Sequence, residues 1–192
     1  MVASWQGTIR VAVNLSPVQF QSRTLVATVA RALHDADMPA DRLELEITET
    51  VMLQDTDATL ATLAQLRVLG VRIAMDDFGT GYSSLGYLRR FPFDRIKIDQ
   101  SFVRDINSKR DCGAIIRAVT GLSRELGIAT TAEGVETQAQ LDALVSAGCT
   151  EFQGYLFSPA VPSGMVAGLR RSIAEMLRPA LAELPALAEL EA

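Results

Sequence analysis

Short runs rich in aliphatic and β-branched residues recur along the chain, and each gives way to a stretch in which apolar residues return every three to four positions. The runs RVAVNL (10–15), LELEI (43–47), RIAMDD (72–77), RIKID (95–99), ATTAEG (129–134) and FQGYLF (152–157) predict strands. The stretches LVATVARALHDA (25–36), DATLATLAQLRVLG (57–70), CGAIIRAVTGLSRELG (112–127) and ETQAQLDALVSAG (136–148) predict helices. Three of these end in Leu-Gly or Ala-Gly, where glycine takes the left-handed conformation that closes a helix. Alternation of this kind predicts an α/β fold, a parallel sheet with helices outside it.

Six βα units fit either an open doubly wound sheet or most of an eight-stranded barrel. Polar residues at the strand ends separate the two. Read to its C-terminal end, each run delivers such a group: Asn14, Glu46, Asp76 with Asp77, Lys97 with Asp99, Glu133 and Gln153. In an open sheet these would be strung along an edge, with neighbouring strands about 4.8 Å apart. In a barrel they converge on one face. Convergence favours a TIM-like (β/α) barrel, incomplete because about six of the usual eight units are present. Two N-terminal units are then expected to be missing, and Trp5-Gln6-Gly7 reads as the end of a helix from a preceding unit. The first and last strands become unpaired edges that promote self-association. Residues 1–165 form the partial barrel in this reading. Residues 166–192 form an Ala/Leu-rich amphipathic tail that covers the barrel exterior, broken by Pro179 and Pro185 into short helices.

The 192 residues are 48% hydrophobic and 21% charged, which is ample apolar material for one core. A net charge of -5 without any run of lysine or arginine argues against sequence-independent binding of a DNA or RNA polymer. An anionic ligand therefore needs local help, most simply from a divalent metal. Cys112 and Cys149, the only cysteines, are too few for a zinc site; they read as small buried apolar groups in a reducing, cytoplasmic setting. No apolar run approaches the roughly 20 residues of a membrane helix, and the N-terminus lacks a signal-peptide pattern. His34, the lone histidine, lies near Asp35 and Asp37 and reads as a solvated helix residue.

Glu46, Asp76, Asp77 and Glu133 put four carboxylates at predicted strand ends, and burying such charge requires a cation or a proton. With the amide oxygen of Asn14 and no His or Cys, the donors are hard oxygens, suited to Mg²⁺ or Mn²⁺ rather than Zn²⁺. Adjacent Asp76 and Asp77 let one carboxylate bridge two ions while its neighbour holds the second. Two ions about 3.5–4 Å apart stabilise the attacking and leaving oxygens of phosphodiester hydrolysis. Lys97 either orients the attacking water or neutralises phosphate charge, unless it simply pairs with Asp99 at the rim. Two other readings of AMDDFGTGYSS (74–84) fail on context. Asp-Phe-Gly is the metal-binding turn of protein kinases, but no Gly-rich loop, Val-Ala-Ile-Lys strand or His-Arg-Asp loop accompanies it. Gly79-Thr80-Gly81 is not followed by the Gly-Lys-Ser/Thr of a phosphate loop.

Taken in order, VAVNLSPVQF, LELEITET, VRIAMDDFGTGYSSLGYLRRFPFDRIKIDQSFV, TTAEGVET and FQGYLFSPAVP resemble the EAL-domain family of bacterial cyclic di-GMP phosphodiesterases, over roughly residues 5–165. The resemblance implies a modified TIM barrel in which two divalent ions, Mg²⁺ or Mn²⁺, promote hydrolysis of cyclic di-GMP to linear pGpG. It implies Asn14, Glu46 and Asp76 as metal ligands, with Asp76 bridging to a second ion bound by Asp77. It implies that Lys97 and Glu133 act on the nucleophilic water, with Gln153 and Asp99 in support. Glu49 would anchor the loop of Asp77, Phe78, Gly79, Thr80, Gly81 and Tyr82, which in the family links the metals to a dimer. Phe78, Tyr82 and Tyr87 are candidates for contact with a guanine or for loop packing. The Glu-x-Leu motif that names the family, with its metal-binding Glu and a nearby phosphate-contacting Arg, has no match in the thirteen residues before Asn14. Impaired phosphodiesterase activity is therefore expected of this chain alone. The alternative is an inactive module that binds cyclic di-GMP or a protein partner. A homo-oligomer, and a sensor or GGDEF domain upstream in a longer parent protein, complete the expectation.

Overall fold

The computed structural model describes residues 9–53, 56–79 and 85–166, with a few positions between 168 and 175. The helix end expected at Trp5-Gln6-Gly7 and most of the tail expected over 166–192 lie outside them. Among the described residues six parallel strands pair in sequence order: β1 (Val11–Asn14), β2 (Leu43–Thr48), β3 (Arg72–Phe78), β4 (Arg95–Ile98), β5 (Ala129–Ala132) and β6 (Glu151–Phe152). The predicted helices form as α2 (Leu25–Asp35), α4 (Thr56–Val68), α7 (Arg110–Glu125) and α8 (Gln138–Ser146). Four short ones join them in the connections: α1 (Pro17–Phe20), α3 (Glu49–Leu53), α5 (Leu85–Arg90) and α6 (Gln100–Arg104). No helix among these residues is long and apolar enough to cross a membrane.

Parallel register decides which side chains share a face. Leu45 stands opposite Ile73, Ile47 opposite Met75, and Met75 opposite Ile96. These residues make one buried layer with Val29 and Leu33 of α2, Val51 and Met52 of α3, and Leu63 and Leu66 of α4. A second cluster joins Ile98 and Ala132 to Val103 of α6, Ile116 of α7 and Leu144 of α8. Each large aliphatic side chain so buried contributes about 1.5–3 kcal/mol.

The alternate residues point the other way, and there the chain departs from an ordinary barrel interior, which branched apolar side chains fill. Here that face carries Glu44, Glu46, Asp76, Lys97 and Thr131, all buried. The sheet curls around them. Arg10, just before β1, comes within 3.9 Å of Glu151 on β6, whereas the outermost strands of a flat six-stranded sheet would be roughly 24 Å apart. No backbone ladder joins β1 to β6 among the described residues, so the sheet is a curled, incomplete barrel with a side-chain contact across its seam.

The strand expected over 152–157 ends at Phe152. Gln153 N donates to Ala132 O (2.9 Å), Val135 N donates to Gln153 O (3.0 Å), and Leu156 N donates to Val135 O (2.9 Å), folding the chain over the end of β5. Phe152, Leu156 and Phe157 supply the apolarity that suggested a strand; they pack on the second cluster from this turn. Gly154 makes the close passage possible, because a Cβ there would lie 2.1 Å from Val135 O and 2.3 Å from Val135 N. Gly154→Ala is therefore expected to lower unfolding stability by about 1–3 kcal/mol, seen as a lower urea midpoint. An unchanged midpoint would mean that the turn relaxes freely.

Candidate active site

Lys97 lies at the centre of the charged face, two residues along β4 from Arg95. Its ammonium is 2.7 Å from Glu133 Oε1, 2.8 Å from Glu46 Oε2 and 3.0 Å from Asp76 Oδ1. The register explains the meeting: Glu46 lies opposite Ala74 on β3, Thr48 opposite Asp76, and Glu133 follows β5 with its N–H donating to Ile98 O (3.1 Å). Only 5% of Lys97 is exposed. Burial works against its charge, but the hydrogen bonds to Glu133 and Glu46 outweigh that, and its pKa is raised. Glu133 is also pushed up, by burial, which Lys97 only partly offsets.

Asp76 and Asp77 would face opposite sides of a regular strand. A bulge changes this. Met75 stands opposite Ile96 and Phe78 opposite Ile98, so three steps on β3 match two on β4. Asp77 takes a left-handed φ of +53° within the extra residue, and its N–H donates to Asp76 Oδ1 (3.0 Å). Phe78 then returns to the buried apolar side. Asp76, Asp77 and Glu133 can bring one carboxylate oxygen each within 4.8 Å of one another. Burial and the neighbouring charge of Asp76 raise the pKa of Asp77, and the more distant charge of Lys97 only partly offsets them. An all-oxygen group of this kind suits a hard divalent ion.

The remaining candidates surround this cluster. Asn14 stands opposite Glu46 in the β1–β2 register and is exposed. Gln153, exposed, follows β6 and is tied by its backbone to Ala132 and Val135. Glu49 Oε1 accepts from Gly79 N (3.1 Å), linking the start of α3 to the turn after β3. Lys97 does not pair with Asp99. Asp99 instead caps α6, its Oδ1 accepting from Ser101 N (2.9 Å). Thr80, Gly81 and Tyr82 lie outside the described residues.

Beneath the cluster is a second charged tier that the motifs do not reveal. Arg95 bridges Glu44 (3.4 Å) and Glu151 (2.7 Å), Arg72 Nε lies 3.6 Å from Glu44, and Glu44 is 2% exposed. Burial raises the pKa of Glu44 although Arg95, Arg10 and Arg72 pull it down. The available signal was spacing: Glu44, Arg95 and Glu151 each lie two residues before a strand-end candidate, on the same face by strand periodicity.

The model of the family described as "EAL domain" matches residues 1–160. Protein y4lL of Sinorhizobium fredii is 51% identical over 172 residues, covering 90% of this chain and 21% of its own length. The bifunctional diguanylate cyclase/cyclic di-GMP phosphodiesterase MucR of Pseudomonas aeruginosa is 44% identical over 153 residues, covering 80% and 22%. The chain thus spans about a fifth of the length of these curated relatives. Among solved structures, the MucR phosphodiesterase in complex with c-di-GMP superposes with a TM-score of 0.78 at 43% identity, covering 82% of this chain and 64% of that one. Klebsiella pneumoniae BlrP1 in a manganese and cyclic di-GMP complex gives a TM-score of 0.75 at 39% identity, covering 80% and 39%.

The bulge supplies a test of the local backbone. Asp77→Asn suits a left-handed residue and should melt near the wild-type temperature, whereas Asp77→Val should lose about 1–2 kcal/mol relative to it. Equal melting temperatures for the two variants would show that the left-handed turn is not held.

Proposed function

The chain belongs to the EAL-domain family, and from that membership and its carboxylate-lined strand ends we propose that it is a metal-dependent phosphodiesterase domain that opens cyclic di-GMP to linear pGpG. The observation that carries this reading is the meeting of Glu46, Asp76 and Glu133 on one buried lysine, with Asp77 turned toward them. The oxygen-only donors fit Mg²⁺ or Mn²⁺, and a solved relative with manganese and cyclic di-GMP supports the choice. When bound, two such ions supply charge neutralisation at the phosphate and a more acidic water.

The residues divide the remaining work. Asn14, Glu46 and Asp76 would hold one ion, with Asp76 shared and Asp77 on the second. Glu133 accepts a proton from the attacking water, and Lys97 orients that water or the phosphate oxygen. The water oxygen bonds to phosphorus, the bond from phosphorus to the leaving 3′-oxygen breaks, and that oxygen takes up a proton. Gln153 at the rim supports the water network. Glu49, through Gly79, ties the turn after β3 to α3, the route by which the site would communicate with a dimer. A cytoplasmic setting, and a longer protein with a sensor or GGDEF domain, belong to the same reading.

Release of pGpG from cyclic di-GMP, dependent on Mg²⁺ or Mn²⁺ and abolished by chelation, is the direct test. Binding of cyclic di-GMP without pGpG would instead identify a sensing module. Glu46→Ala is expected to lose both metal and turnover, while Lys97→Ala keeps metal and loses turnover by about 10²-fold or more. Equal loss of metal in both variants would refute these roles. Self-association through the β1 edge, where Val13 is 42% exposed, should appear in sedimentation as a species larger than the monomer. A strict monomer at high concentration would count against it.

A further inference from the structure

An ammonium group has three N–H donors and no more. In this structure three different carboxylates stand 2.7, 2.8 and 3.0 Å from Lys97 Nζ, one for each donor, and the side chain is only 6% exposed. Lys97 so placed has nothing left to offer a water or a phosphate oxygen. It also occupies the electrostatic position of a cation at the centre of the acids that the proposed ions would need.

We propose that Lys97 is the resident cation of the metal-free site and a positioning residue for metal loading: it holds Glu46, Asp76 and Glu133 together, competes with divalent ions for the oxygens of Glu46 and Asp76, and is released to meet water only when those two carboxylates turn to metal. This rests on the metal-dependent reading above. The chemistry follows from the donor count. Without Lys97 the three carboxylates, whose side chains are 8–18% exposed, repel one another with little water to screen them, so the metal-free protein loses stability. The same loss removes a competitor, so a divalent ion binds the variant more tightly. Under a purely catalytic role, Lys97 would affect turnover and leave both quantities unchanged. Arg95 and Glu151 fix the strand beneath but do not reach Nζ, so the exchange is confined to the upper cluster.

Lys97→Met in the full chain is the variant to measure, as it keeps the stem and removes the charge. In chelator its melting temperature should fall by about 5–10 °C. Calorimetric titration with Mn²⁺ should show affinity raised by about tenfold, a shift of the size that outer ligand partners impose on metal sites. Mn²⁺ affinity equal to or weaker than wild type would overturn the proposal. If the variant does not fold, the wild-type protein still decides. The Lys97 Nζ resonance, followed by ¹⁵N NMR, should shift as Mg²⁺ is added to saturation, and a stationary signal would overturn it. Mn²⁺ binding that follows the expected pattern with no pGpG formed counts against the phosphodiesterase reading alone. Hydrolysis with Mn²⁺ affinity unchanged in Lys97→Met counts against the lysine proposal alone.

Discussion

A charged side chain leaves water only when an opposite charge or a hydrogen-bond partner replaces it, and this sheet puts such side chains on the inner face of β2, β3, β4 and β6. Their pairing requires the curl. In a flat sheet β2 and β6 would be roughly 19 Å apart, yet a single guanidinium, Arg95 on β4, lies within 3.4 Å of Glu44 on β2 and 2.7 Å of Glu151 on β6. The sheet must bend around it. The same bend carries Lys97, one tier higher, into reach of Glu46 on β2 and Glu133 beyond β5. Charge pairing inside and apolar burial against the helices outside thus demand the same curvature.

Against that regular background, local irregularities gather at the strand ends. Asp77 adopts a left-handed backbone although it has a side chain, and the bulge it creates turns a second aspartate toward the charged side. Gly134, with φ +68°, turns the chain directly after Glu133. A Cβ there would lie 2.7 Å from Gln100 Cβ, while Val135, next in line, returns to the core fully buried. Departures of this kind concentrate where a side chain must face a direction that the strand does not provide.

The alternation of β-branched runs and helical stretches was legible because it is written in two clean periods, and the strands β1 to β5 and the four long helices follow it within a few residues. The six-residue strand at the end was not, because Phe152, Leu156 and Phe157 reach one apolar cluster from a turn as readily as from a strand. The helices α3, α5 and α6, of five or six residues, are too short to show a period. Within the site, the carboxylates at strand ends were conspicuous because charge there is unusual. Of the readings open for Lys97, only the pair with Asp99 is excluded by the geometry. Asp99 lies two residues away and shares its strand face by period, but the chain turns into α6 there and Asp99 spends its oxygen on the helix N-terminus. Proximity in sequence offered Asp99, while curvature offered Glu46, Asp76 and Glu133.

Stability alone does not account for an ionic interior, since well-packed apolar residues in place of a buried ion pair are often neutral or stabilising. What the lower tier contributes is a fixed geometry. Arg95 meets Glu151 through two nitrogens, at 2.7 and 2.8 Å, an arrangement with one orientation where an apolar layer could repack in several. Lys97 is two residues beyond Arg95, Glu46 two beyond Glu44, and Gln153 two beyond Glu151. Any slip of one strand against its neighbours therefore displaces both tiers by the same amount. Substituting the lower tier would thus loosen the spacing of the upper one without touching it, and the height at which Lys97 meets its three carboxylates is set by the ion pairs below.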